Sequence, residues 1–260
     1  MTDLVAKLLA GGAAVVEDSN YGFHDTACMA TIISVGGESA ISIPLEAGVE
    51  YCFVGAGDEN ATDIDIAIED RMGNAVTKDT ETDSTPVVFV TPTKSMSYTI
   101  RLQLYEAKRD SYCGLILLRD GGWDIPQDNL TTAIVNCIES CVEQANAGGE
   151  VFFADEEGEW ALLGAMMQTD ETRTWSSINL QDGEHRIVAG GDTQSEDIDL
   201  AVNREASSGR SEEQVASDTD LDGTPAVSFV AESDELYTIE IENYDSKGPT
   251  LIITAILEVE

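Results

Sequence analysis

One stretch of this chain occurs twice. Gly57-Asp58, followed by Thr62-Asp63-Ile64-Asp65-Ile66-Ala67-Ile68, returns as Gly191-Asp192 followed by Glu196-Asp197-Ile198-Asp199-Leu200-Ala201-Val202. Further on, Thr85-Pro86 returns as Thr224-Pro225, and Tyr98-Thr99-Ile100 as Tyr237-Thr238-Ile239. Copies this long are duplicated domains and not the short stacked units of a solenoid. The distance between matched pairs widens along the chain, so the second copy carries a short insertion. It is expected at Ser207 to Glu213, where Ser, Gly and charge cluster.

The repeat reaches upstream of the matched segments. Leu4 to Val16 has apolar positions compatible with a helix. In the second half Leu130, Ile134, Val135, Ile138 and Val142 recur at helical spacing, with Asp128 or Asn129 as the expected N-cap and Gly148-Gly149 as the stop. The apolar face of that helix is expected to pack on a sandwich or against its counterpart. Strands follow from short apolar alternations at Ile41/Ile43, Tyr51/Phe53, Ile64/Ile66/Ile68, Val87 to Val90, Tyr98 to Leu104 and Leu115/Leu117, separated by turn signals such as Gly48 and Gly73-Asn74. The expected fold is mainly β, with two tandem antiparallel β-sandwich (jelly-roll-like) domains, each preceded by one α-helix. Gly121 to Pro126 marks the boundary, giving domains 1–124 and 125–260.

The order Tyr51-Cys52-Phe53-Val54, Gly57-Asp58, Asp63 to Asp70, Gly73-Asn74, Asp79 to Asp83, Pro86 to Phe89 and Tyr98 to Leu102 resembles the bacterial pre-peptidase C-terminal domain. It covers roughly residues 40 to 118 and, with fewer matches, 178 to 257. The resemblance implies a non-catalytic accessory or binding module on a β-sandwich. Such domains usually accompany secreted proteases, whereas this chain shows neither a protease domain nor an export signal. The expected location is cytoplasmic if Met1 is the native start, with an extracytoplasmic location after signal removal as the alternative.

Fifty acidic residues against thirteen basic ones leave a net charge of -37. That field repels nucleic acid and anionic membrane surfaces, so neither is an expected partner. No apolar run approaches the ~20 residues that a spanning helix needs. The expected partners are cations and a protein partner or a second copy of the chain. Sparse lysine beside abundant carboxylate also matches surfaces that work at high salt, where self-repulsion is screened; an ordinary acidic or cation-binding protein is the alternative. The five cysteines do not make a disulfide framework. Cys137 and Cys141 stand one helical turn apart, a poor geometry for a bridge, and free thiols are expected.

The acidic turns are the leading site. Asp218-Thr219-Asp220-Leu221-Asp222-Gly223 has the D-x-D-x-D-G spacing that wraps oxygen ligands around calcium, and the first copy offers Asp79, Glu81 and Asp83. The twelfth position is Phe229 where an EF-hand has Glu, so a strand carboxylate such as Asp65 or Asp199 would have to complete the shell. Ca2+ is thus the one cofactor considered, against solvated turns whose Asp side chains cap their own backbone. Asp63 with Asp65, and Asp197 with Asp199, are expected on one strand face opposite the isoleucines.

Paired carboxylates can serve a hydrolase, but that chemistry needs burial to separate their pKa values. His24 and His185 sit at non-equivalent places and belong to no metal motif. No Ser, Cys and His set is shared by the copies, and Gly36-Gly37, Gly55-Ala56-Gly57 and Gly190-Gly191 lack the lysine of a phosphate loop. Trp123, Trp160 and Trp175 are expected as packing anchors, with sugar stacking as the alternative. The reading is a non-enzymatic binding or structural module with acidic, calcium-binding surfaces; the alternative is a hydrolase using the strand carboxylates.

Overall fold

The computed structural model describes residues 2–17, 19–155, 159–207 and 211–260. The chain is mainly antiparallel β-sheet with two helices, and it divides into two compact units, Met1–Asp124 and Ile125–Glu260. The first unit opens with α1 (Thr2–Val16). Its strands are β1 (Tyr21–Ile33), β2 (Glu38–Leu45), β3 (Tyr51–Gly57), β4 (Ala61–Glu69), β5 (Ala75–Asp79), β6 (Val87–Val90), β7 (Met96–Ala107) and β8 (Ser111–Asp120). They pair in the orders β1-β8-β3-β6 and β2-β7-β4-β5.

The second unit has α2 (Gln127–Ala147), β9 (Val151–Phe153), β10 (Trp160–Met167), β11 (Glu171–Asn179), β12 (Gly183–Gly191), β13 (Ser195–Arg204), β14 (Glu213–Asp218), β15 (Ala226–Ala231), β16 (Leu236–Ser246) and β17 (Thr250–Val259). Its orders are β10-β17-β12-β15, with β9 also on β17, and β11-β16-β13-β14. Strand for strand this is the pairing of the first unit. β9 and β10 together stand where β1 stands: β1 bulges between Phe23 and Cys28, and in the second copy β9 ends at Phe153 and β10 begins at Trp160. β1 and β5 alternate weakly and carry no clear strand signal in the sequence.

In each unit the two sheets stack face to face over the isoleucine rows. A Cβ added at Gly55 of β3 would lie 2.9 Å from Ile66 Cδ1 of β4, and one at Gly191 of β12 would lie 2.7 Å from Ile198 Cδ1 of β13. Ile64, Ile66, Ile68, Ile198 and Val202 are completely buried, as side chains between two sheets should be. The repeated Gly-Asp pair is a structural clamp. Asp58 Oδ2 accepts the Tyr112 N–H at 3.2 Å and Asp192 Oδ2 the Leu251 N–H at 3.2 Å, each tying the end of one strand to the next-door strand of its sheet.

The helices lie on equivalent strands, α1 on β3 and β8, α2 on β12 and β17. α2 differs from expectation in the face it buries. Ala133, Cys137 and Ser140 are buried, whereas Val135, Ile138 and Val142 are exposed. The reason is closeness: a Cβ on Gly190 would come within 2.4 Å of the Cys137 backbone nitrogen, so only small side chains fit between helix and sheet. Its N-cap is Pro126 and not Asp128 or Asn129, with no side-chain capping bond, and the helix ends at Ala147 before Gly148 as expected. Of the expected insertion, residues 208–210 lie outside the described residues. Around them β13 ends at Arg204 and β14 begins at Glu213, a longer connection than the one from Glu69 to Ala75 in the first copy.

Candidate functional site

The acidic turns follow β5 and β14, and the two copies build them with matching hydrogen bonds. Asp79 Oδ1 accepts the Glu81 N–H at 3.0 Å and Oδ2 the Val87 N–H at 2.9 Å. Asp218 Oδ1 accepts the Asp220 N–H at 3.0 Å and Oδ2 the Ala226 N–H at 2.9 Å. Asp83 and Asp222 each accept the N–H two residues on, from Thr85 and Thr224, at 2.8 Å. These carboxylates therefore hold the turn's backbone in shape, as Asp does in Asx-turns. Glu81 and Asp220 are exposed and contribute main-chain carbonyls, which accept from Asp83 N and Asp222 N.

The two strand carboxylates of each pair act on each other's charge but differ in burial. A register shift at Asp63, and another between Asp197 and Asp199, breaks the simple alternation, so each pair is split in environment. Asp63 and Asp197 are only 6% exposed, while Asp65 and Asp199 are half-buried. Asp63 Oδ1 and Asp197 Oδ1 have no hydrogen-bond partner among the described residues. Opposite them on the neighbouring strand stand Glu106 and Asp245. The next residue ties to the acidic turn in both copies, through Ile64 N–H to Asp83 O at 2.8 Å and Ile198 N–H to Asp222 O at 2.9 Å.

Burial, then the charges of Asp222 and Asp245, push the Asp197 carboxyl above its ordinary range. Asp199 is pushed up by burial and by Asp197, Glu242 and Asp218, and Asp65 by burial and by Asp63 and Asp79. Asp65 lines a groove with Glu69, Lys78, Arg101 and Gln103, and the Lys78 ammonium offsets part of the push from Asp63 and Asp79.

Among the described residues, the acidic or histidine side chains whose ligand atoms gather within 4.8 Å are two other sets: Glu159 with His185 and Glu258, and Glu232 with Asp234 and Glu235. None of the eight predicted ligands, Asp65, Asp79, Glu81, Asp83, Asp199, Asp218, Asp220 and Asp222, belongs to either set.

The histidine set is not legible in the sequence because its members come from two strands, β12 and β17, and from the residue just before a third, β10. His185 of β12 lies directly across from Glu258 of β17, and Glu159 immediately precedes β10. Comparison of the copies holds the signal that could have found it. The positions matching His185 and Glu258 are Tyr51 and Arg119, also opposite each other, and the place beside the Tyr51 ring is taken by His24, 5.8 Å away between ring centres.

His185 is 1% exposed and packs 6.2 Å from the Phe229 ring. Burial holds its imidazole below the usual histidine range. The thiols are free, and burial pushes Cys28, Cys52 and Cys113 up to about 12, which makes them unreactive. Trp123 is half-buried and donates from Nε1 to Asp25 Oδ1 at 2.8 Å; Trp160 and Trp175 are half-buried too.

No family model matches the chain, and no curated protein matches it. The pre-peptidase C-terminal resemblance therefore stands on the quoted residues alone. Among solved structures, similar chains include PliG from Aeromonas hydrophila, a periplasmic inhibitor of g-type lysozyme, at 7% identity, covering 39% of this chain and 90% of that one, with a TM-score of 0.28. The tandem CBM22 domains of Xyn10C from Paenibacillus barcinonensis match at 10% identity over 88% of this chain and 94% of that one, with a TM-score of 0.23. The PBSX exported protein XepA matches at 13% identity over 89% and 86%, with a TM-score of 0.24. At scores this low none of these likenesses assigns a ligand or an activity to the chain.

Proposed function

We propose that this chain is a non-catalytic binding or structural module whose two copies each take a hard cation, calcium, where a buried aspartate meets the acidic turn. The observation that carries the reading is the repeated one: Asp63 and Asp197, each 6% exposed, each with an oxygen lacking a hydrogen-bond donor. A carboxylate oxygen withdrawn from water and left without a donor is costly, and the same oxygen is left so in both copies. Calcium accepts six to eight oxygens in flexible geometry, including main-chain carbonyls and waters, and so suits a site with carboxylates of mixed exposure. The turn aspartates keep the loop closed, and Asp63 or Asp197 with its cross-strand neighbour Glu106 or Asp245 supplies the charge.

Outside the acidic edge, each copy exposes an aromatic at the matching position, Tyr105 at 63% and Tyr244 at 53%. A side chain exposed twice in the same place is not there for the core, and it supports a protein partner or a second copy as what the module holds. The test is a set of thermal melts in calcium, magnesium and sodium at matched ionic strength. Calcium should raise the midpoint beyond the other two, because a ligand that binds only the folded state stabilises it in proportion to ln(1 + [L]/Kd). The paired substitutions Asp63→Asn and Asp197→Asn should abolish the calcium-specific part and keep the general salt effect. Equal shifts from all three salts would overturn the cation sites.

A further inference from the structure

The acidic turns leave unexplained the most deeply buried charged cluster of the second unit. Glu159 is fully buried, His185 is 1% exposed and Glu258 is half-buried, and their ligand atoms lie within 4.8 Å of one another. His185 Nδ1 lies 3.3 Å from the Gly183 carbonyl oxygen, which can only accept. The proton therefore sits on Nδ1, and Nε2 presents a lone pair. That nitrogen has no hydrogen-bond partner among the described residues, and it faces two carboxylates, which when ionised are acceptors as well. A buried imidazole lone pair with two carboxylates beside it is a donor set that a cation can occupy.

We propose that Glu159, His185 and Glu258 bind one zinc-class divalent transition-metal ion, a site separate from the repeated acidic turns. The donor set selects the metal. One imidazole nitrogen with two carboxylate oxygens suits zinc, whereas calcium and magnesium take oxygen shells. The outer bond is in place as well: a ligating histidine donates its other ring N–H to a carbonyl or carboxylate, and here Gly183 O fills that role. Two carboxylates offset the dication's charge, and Glu258, the half-buried member, is the one nearest solvent. Glu258 is already steered, its Oε1 accepting the Asp155 N–H at 3.2 Å.

The first copy supplies an internal control. Its matching strand positions carry Tyr51 and Arg119, neither an imidazole nor a carboxylate, and Tyr51 OH accepts the Glu46 N–H at 2.9 Å. The site predicts one ion per chain, while the acidic turns, being duplicated, predict two.

The experiment is calorimetric titration of the metal-stripped full chain with Zn2+ in excess Mg2+ and Ca2+, which occupy the acidic surface, followed by Co2+ with its visible absorption recorded. One zinc per chain is expected, with a cobalt spectrum showing nitrogen ligation. His185→Gln should weaken zinc binding by at least 100-fold. Glu258→Gln, at a half-exposed position and so the safer variant for folding, should weaken it by at least 10-fold. Circular dichroism without metal establishes that each variant is folded. Absence of zinc binding to the unaltered chain, binding unchanged in both variants, or two zinc ions per chain lost on Asp63→Asn and Asp197→Asn would each overturn the proposal.

Discussion

At the scale of single residues, most of the conspicuous aspartates turn out to serve the backbone. Asp218 binds two N–H groups, those of Asp220 and Ala226, and Asp79 binds the matching pair, Glu81 and Val87. Each such bond contributes about 0.5–1.5 kcal/mol net. Asp218→Ala should therefore lower stability by about 1–2 kcal/mol in urea denaturation, and Asp79→Ala by a similar amount. Asp218→Asn should cost less, since the amide oxygen still accepts one of the two bonds. An alanine variant as stable as the parent would show that the turn holds itself without the carboxylate. The D-x-D-x-D-G spacing was legible in the sequence, but both its readings, calcium loop and self-capped turn, demand acceptors at alternate positions. Only the placement of Val87 N and Ala226 N, eight residues on, assigned two of the carboxylates to the backbone.

At the scale of elements, the helix-to-sheet contact shows how one missing side chain sets a packing distance. Gly190 has no Cβ to hold α2 away, so the helix backbone at Asn136 and Cys137 settles onto β12 and turns its small side chains inward. Asn136 Nδ2 then reaches the Gly191 carbonyl at 2.8 Å, and Arg186 reaches the carbonyl of Gln144 at the far end of α2. Gly190→Ala should push the helix outward and destabilise the second unit by about 1–3 kcal/mol, the usual range for overpacking. Its counterpart Ala56 in the first copy is buried without such a conflict, so Ala56→Gly should cost no more than about 1 kcal/mol, from backbone entropy and the lost methyl. Chemical denaturation of the two variants side by side checks this, and equal effects would count against the close-contact explanation. The helices were visible in the 3.6-residue period, but the buried face was not, because apolar periodicity assumes that the larger side chains face the core.

At the scale of the whole molecule, net charge and carboxylate burial push the same way. Asp65, Asp192, Asp197 and Asp199 are all raised in the fold, each chiefly by burial. A carboxyl whose folded pKa exceeds its unfolded value binds more protons when folded, so stability falls as pH rises through the window between the two. At low ionic strength the melting temperature should therefore climb as pH drops from neutral toward the ordinary carboxylate range. It should turn over lower still, where Asp70 and Glu184, both held down by hydrogen bonds, take up protons. A melting temperature that falls steadily from neutral pH downward would contradict this account, and added salt should flatten the whole profile by screening.

Duplication, mainly-β character, two helices and an acidic surface were determined by the sequence alone, because repeats, alternation and charge are properties of residue order and composition. What the tertiary structure decided is which distant residues meet. The bulges that bury Asp63 and Asp197, and the pairing of β12 with β17 that sets His185 against Glu258, bring together side chains separated by tens of residues. No local pattern encodes that meeting, because strand register is chosen by the whole sheet's burial and pairing and not by the segments themselves.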